Sequence, residues 1–515
     1  GGGVGLLDVL IVIGSLAGLV ALASWIASRQ AATDDYYLGG RRLPSWALGL
    51  SLAANQVSAV SLVGAPAFVA VRPDGGLKWL QYELAVPLAM AALAAWGVPF
   101  LRQAGGAEVY RAVEDRLGSG PRHALALLFL AGRGLGAGVI LLASARVVSA
   151  CTGWGVGASL VVVGAVSITY TALGGLVADV LSDVLQFLLL WGSIVIATGA
   201  LWWRLGPAAL AAVDPARIRP IDLAGTGLGD GADFSLLPML LGGFFLYLAY
   251  YGGDQTQAQR VLAAADDGAA RRALTVAALV RFPLVLTYCL FGVMLAALLA
   301  AEPDFAAALA GRPPDDLVPQ FLVRYLPTGL LGIVVAGILA AALSSVDSAF
   351  NSLSAVTAEH LLPHRLGPRA ALLWARFATV GWGAATFAAA LAFSHARGTV
   401  IELVNLVGSV VNGPVLGVFL LAWRSRRADA RSSLLGVAAG LATNLLVAAA
   451  LPRVSWWWWN VIGCTVTVAV GAGFGRADRA PVRVDSRPAR RQALLLIALF
   501  AVIVSILIAV QLAVG

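Results

Sequence analysis

Apolar stretches long enough to cross a bilayer recur from one end of this chain to the other, separated by short polar segments. The pattern predicts fourteen helical spans, at 6–27, 45–70, 78–101, 123–150, 154–173, 175–203, 235–253, 272–301, 327–360, 368–393, 398–423, 432–451, 455–474 and 492–513. An all-α polytopic membrane protein follows, with residues 1–515 forming a single transmembrane domain.

One span departs from uniform apolarity. It contains Gly337 to Ser352, GILAAALSSVDSAFNS. On a helix, Ser344, Ser345, Asp347, Ser348, Asn351 and Ser352 fall within a sector of roughly 160°, together with Ala341 and Ala355. Leu343, Val346, Ala349, Phe350 and Leu353 take the other side. Ionisable groups at membrane depth are costly and mark ion or substrate paths, so this polar face must point at protein or water. Serines alone also suit a packing seam in which each hydroxyl bonds its own backbone. Asp347 goes beyond that, because packing does not require a carboxylate.

Two spans carry interruptions. The second, SWALGLSLAANQVSAVSLVGAPAF, contains Asn55, Gln56, Ser58, Ser61, Gly64 and Pro66. The seventh runs from Gly242-Gly243 through Tyr247, Tyr250 and Tyr251 to Gly252-Gly253. They stand five spans apart. Interrupted segments in corresponding places are the pointer to an inverted repeat with a midplane site, where unwound backbone supplies carbonyls. Glycines are also common in ordinary membrane helices, so the spacing carries the argument.

Composition supports the pattern: 60% of residues are hydrophobic and 12% charged. The net charge of +8 follows from topology and does not call for a nucleic-acid partner. With the N-terminus outside, the inward loops hold 22 of the 35 Lys and Arg, so the positive-inside rule places both termini outside the cell membrane. The count includes Arg260, Arg271 and Arg272; Arg133, Arg146, Arg281 and Arg376 lie within spans. Gly1 opens on an apolar run, Leu6 to Ile26, that is too long for a signal-peptide core and lacks a basic leader. Cys151, Cys289 and Cys464 lie on separate segments and the four histidines are scattered, which argues against a disulfide framework or a transition-metal site. Trp456 to Trp459 are expected to anchor the outer interface.

Five motifs in order then resemble the sodium/solute symporter family, which has a LeuT-type core: GGRRLPSW leading into AANQVSAVSLVGAP, YTALGGLVADVLSDVLQ, DQTQAQRVLAA, AALSSVDSAFNS and NGPVLGVFLLA. The resemblance implies a 5+5 inverted repeat. An extra N-terminal helix would span 6–27, the first five-helix repeat 45–203, the second 235–423, and three further C-terminal helices 432–513. It also implies a co-transported Na+ ion held by Ala54, Val57, Ala341, Ser344 and Ser345. Ala341, Ser344 and Ser345 share one face at i, i+3 and i+4. Five oxygens without an adjacent full charge suit a monovalent hard cation better than calcium.

Some members of the family hold a second sodium, which the resemblance would place at Asp183, Ser344, Asp347 and Ser348. Here Asp347 stands where a hydroxyl would be, and it could strengthen that site or carry a proton. Sugar-carrying relatives use a Glu matching Glu83 and a Lys at the position of Arg281. Arg281 needs a buried partner, either Glu83 or a substrate carboxylate. Ser61, Tyr247 and Val86 replace polar groups that contact sugar in those relatives, so the reading leans toward a small carboxylate-bearing solute, with a sugar second. Gln56 and Asn405 complete the implied substrate set, and Tyr250 matches a tyrosine that closes the inner side of the cavity. A sensor or channel on the same scaffold is the alternative from another class. No clustered nucleophile, base and orienting group suggests an enzyme. The expected partners are sodium ions, a small organic solute and the lipid bilayer; the oligomeric state is left open.

Overall fold

The structure, a computed structural model, describes residues 5–57, 59–362, 366–394, 400–480, 482 and 487–514. Each predicted span is largely helical among the described residues. Among the described residues, nine helices are long and apolar enough to cross a membrane.

The main elements are α1 (Leu6–Ala27), α2 (Ser45–Ala54), α3 (Ala59–Val71), α4 (Leu77–Gln103), α5 (Ser119–Thr152), α6 (Val156–Leu205), α7 (Leu236–Gly253), α8 (Gln255–Leu262), α9 (Asp267–Ala301), α10 (Leu330–Leu361), α11 (Pro368–Ser394), α12 (Val400–Arg424), α13 (Ala430–Ala450), α14 (Trp456–Phe474) and α15 (Arg490–Val514). Helix α10 is the centre, packed on α6, α5, α1 and α11 and touching both α2 and α3. Every residue from Val334 to Val356 is buried, so the apolar side that the sequence assigns to this helix faces protein as well.

The predicted second span is interrupted as expected. Helix α2 ends at Ala54, tight turns follow in which Gln56 N bonds Ala53 O and Val57 N bonds Ala54 O, and α3 resumes at Ala59. In the seventh span the interruption falls elsewhere than predicted. Helix α7 is continuous from Leu236 to Gly253, and the break comes at Asp254, whose extended backbone and side chain cap α8 by accepting from Thr256 N at 2.8 Å. The glycines inside α7 serve close approach: a Cβ on Gly242 would lie 2.5 Å from Trp457 O.

The predicted spans 154–173 and 175–203 run together as α6, whose 50 residues would reach about 75 Å if straight, far more than one bilayer. Gly175 divides it, with φ 56° and ψ −151°, and a Cβ there would meet the Tyr36 backbone oxygen and ring at 2.5–2.6 Å. In α4 a π turn at Leu93–Gly97 precedes Pro99, which has no N–H to offer, and the Ala94 carbonyl accepts from Arg271 Nε at 2.9 Å.

The tryptophan run needs correction as well. Trp457 is fully buried and Trp459 nearly so. Trp457 packs on Tyr82 with ring centroids 4.5 Å apart, so only Trp456 and Trp458 keep partial exposure.

Candidate functional site

The polar face of α10 meets α6, the interrupted α2–α3 segment and α8 in the middle of the molecule. Ala54 ends α2, Val57 lies in the turn, and Ala341, Ser344 and Ser345 follow one face of α10; all five are buried. Among the described residues, Ser345 Oγ makes only a long bond to Ala341 O, 3.4 Å. Ser344 Oγ donates to Asp183 Oδ1 at 2.5 Å. A serine has one hydroxyl proton, so this bond leaves the Ser344 lone pairs to face away from Asp183.

The second expected set, Asp183, Ser344, Asp347 and Ser348, is also brought together, with two companions that sequence reasoning missed. Asp179, one turn before Asp183, accepts from Ser348 Oγ at 2.8 Å. Arg260 enters from α8 and donates to Asp179 and Asp183 at 2.9 and 3.0 Å and to Ser348 Oγ at 2.6 Å. One oxygen each from Asp179, Asp183 and Asp347 lies within 4.8 Å of the others. Asp347 Oδ1 accepts from Ser348 N at 2.7 Å, while its Oδ2 has no partner among the described residues. The i, i+4 spacing of Asp179 and Asp183 on an apolar span was the available signal. Arg260 and Arg271, which the sequence places among the inward-loop cations, are both buried, Arg260 to 1% exposure.

Between α9 and α4, Arg281 and Glu83 form a buried fork-to-fork pair, Nε to Oε2 and Nη2 to Oε1, both 3.0 Å. Arg281 Nη1 is buried with no partner among the described residues. Tyr247 OH approaches Glu83 Oε1 at 3.5 Å, and its ring stacks on Tyr82 with centroids 4.6 Å apart. Gln56 accepts from Tyr251 OH, which the sequence reading did not single out. Ser61 lies half-buried on α3. The side chain of Asn405 lies outside the described residues.

Tyr250 joins the two interruptions. Its hydroxyl reaches Asn55 O at 3.5 Å and accepts from Gln257 Nε2 at 2.9 Å, so one side chain spans from the turn after α2 to the start of α8. Arg133, unplaced from sequence, faces the same break, 3.9 Å from Asp254. Arg146 is exposed.

The sodium:solute symporter family model matches residues 36–440. The human sodium/iodide cotransporter is 29% identical over 429 residues, covering 81% of this chain and 65% of its own length. The human sodium-coupled monocarboxylate transporter 1 is 26% identical over 426 residues, 81% of this chain and 68% of the relative. The sodium/sialic acid symporter NanT of Aliivibrio fischeri is 24% identical over 478 residues, 91% of this chain and 92% of the relative. Among solved structures, the substrate-bound outward-open state of a Na+-coupled sialic acid symporter shares the fold, with a TM-score of 0.81 at 22% identity, covering 92% of this chain and 99% of that one.

Proposed function

The chain belongs to the sodium:solute symporter family, and on that premise we propose that it imports a small organic solute together with sodium by alternating access. The observation that carries this is the burial of Ala341, Ser344 and Ser345 on one face of α10, where that helix touches both halves of the interrupted α2–α3 segment. Carbonyls of Ala54, Val57 and Ala341 with the hydroxyls of Ser344 and Ser345 form the sodium site. A cation held there ties α10 to the interrupted helix and favours the outward-open form; the solute binds beside it, and the repeats rock inward. An inside-negative potential contributes about 2.3 kcal/mol per charge moved through 100 mV.

The architecture we assign is fourteen spans, with five-helix repeats at 45–203 and 235–423, an extra helix at 6–27 and further helices at 432–513. The protein sits in the cell membrane with both termini outside. The Arg122, Glu108, Glu114 and His360 cluster lies at the inward end, where Arg122 Nη1 meets Glu114 at 2.6 Å and His360 meets Glu108 at 2.9 Å.

The solute is a small carboxylate, received by Arg281 Nη1 with Gln56, Ser61, Tyr247, Tyr250 and Asn405 around it. A sugar is the second reading, favoured by one observation: Glu83 already engages Nε and Nη2 of Arg281, and the neutralised pair offers acceptors as well as a donor to hydroxyl groups. The test is thermal stabilisation of the purified chain by monocarboxylates, amino acids and sugars, each in sodium and in choline chloride. A carboxylate that stabilises only with sodium supports the reading through linkage. Stabilisation indifferent to sodium contradicts it.

A further inference from the structure

Arg260 lies in the last turn of a short helix, QTQAQRVL, after five mostly polar residues where a solvated cation is expected, and instead its guanidinium ties its own helix to three others. Nε donates to Ser51 Oγ of α2 at 2.6 Å, Nη1 to Thr256 O of α8 at 2.7 Å, and Nη2 reaches Asp179 and Asp183 of α6 and Ser348 of α10. Asp183 is the meeting point: Ser344 donates to its Oδ1, while Ser51, Asn55 and Arg260 donate to its Oδ2.

Two consequences follow. A carboxylate pinned by a guanidinium on one oxygen presents the other as a fixed acceptor, which fixes the direction of the Ser344 hydroxyl proton and hence of its lone pairs. A sodium ion seeking Asp183 and Ser348 as ligands finds both already bonded to a tethered cation. We propose that Arg260 is a positioning residue that acts through Asp183 on Ser344 to set sodium affinity, and that by holding the place between Asp183 and Ser348 it limits the chain to one bound sodium. The inference rests on the sodium-symport reading and adds the number of ions and the residue that sets it.

Equilibrium binding of radioactive sodium to the purified full chain, counted against choline, tests it without knowledge of the solute. The wild type should bind about one sodium per chain. Arg260→Gln should bind about two, because the vacated place keeps its carboxylates, and the original site should weaken about tenfold, as loss of supporting contacts around metal ligands does. Arg260→Lys keeps the charge but loses the fork, and should keep about one sodium with an intermediate affinity. Ser51→Ala, which removes one hydroxyl that accepts from Arg260 and donates to Asp183, decides the matter where Arg260→Gln does not fold: half-saturating sodium should rise several-fold at unchanged stoichiometry. Two sodium ions in the wild type, or unchanged affinity in every folded variant, overturns the proposal. A wild type that binds no sodium overturns the symport reading instead.

Discussion

Arg281 and Glu83, 198 positions apart in sequence, close two parallel bonds of 3.0 Å in the interior, with side chains 6% and 0% exposed. Removing one partner strands the other as a buried charge, a loss of roughly 3 kcal/mol or more. Removing both in favour of apolar groups leaves no such charge. Glu83→Gln should therefore lower thermal stability more than the double change Glu83→Leu with Arg281→Met, while both abolish solute-dependent stabilisation. A double-mutant cycle on the unfolding temperature measures the coupling.

Asp8 holds the N-terminal end of the central helix. Its Oδ1 accepts from Gly329 N and Gly332 N, both at 2.7 Å, so a carboxylate from α1 caps the positive end of α10. Asp8→Ala should cost about 1 kcal/mol, seen as a lower unfolding temperature, whereas Asp8→Asn should recover most of it.

Gly175 divides α6 with a backbone that only glycine adopts readily and with Tyr36 against its Cα. Gly175→Ala should reduce the yield of folded protein sharply, measured as the monodisperse fraction after purification. Gly157, which has open space beside it, should tolerate alanine.

Asp230 orders the loop before α7. Backbone N–H groups of Thr226 and Ala232, with the Thr226 hydroxyl and Gly227 N–H, hold its carboxyl down at about 2. A depressed value means that ionised Asp230 favours the ordered loop above the ordinary carboxylate range near pH 4, and that this is lost as pH falls toward about 2. Pepsin cleavage within 219–235 should accelerate over that interval in the wild type. In Asp230→Ala, cleavage should be fast throughout.

Much of the arrangement was legible because lipid imposes long apolar helices and makes polar faces conspicuous. The stripe from Ser344 to Ser352, the interruption after Ala54 and the need of Arg281 for a partner could all be read from spacing and cost. What escaped was charge that hides beside charge. Arg260 and Arg271 occur among loop-like residues, and only the fold carries α8 under α10 and Arg271 against the freed Ala94 carbonyl. The glycine-rich seventh span likewise reads the same whether its glycines unwind a helix or let Trp457 approach it. Asp254, an N-cap residue with Thr256 behind it, was the better sign of the break.

The central claim concerns sodium at Ser345, whose hydroxyl among the described residues is held only by a 3.4 Å bond within its own helix. The most direct measurement is the half-saturating sodium concentration for binding to Ser345→Ala, compared with the wild type. The account predicts a rise of about tenfold or more, as for loss of one of five ligands, with folding intact because among the described residues that hydroxyl bonds only within its own helix. Sodium binding equal to the wild type in the folded variant would contradict it.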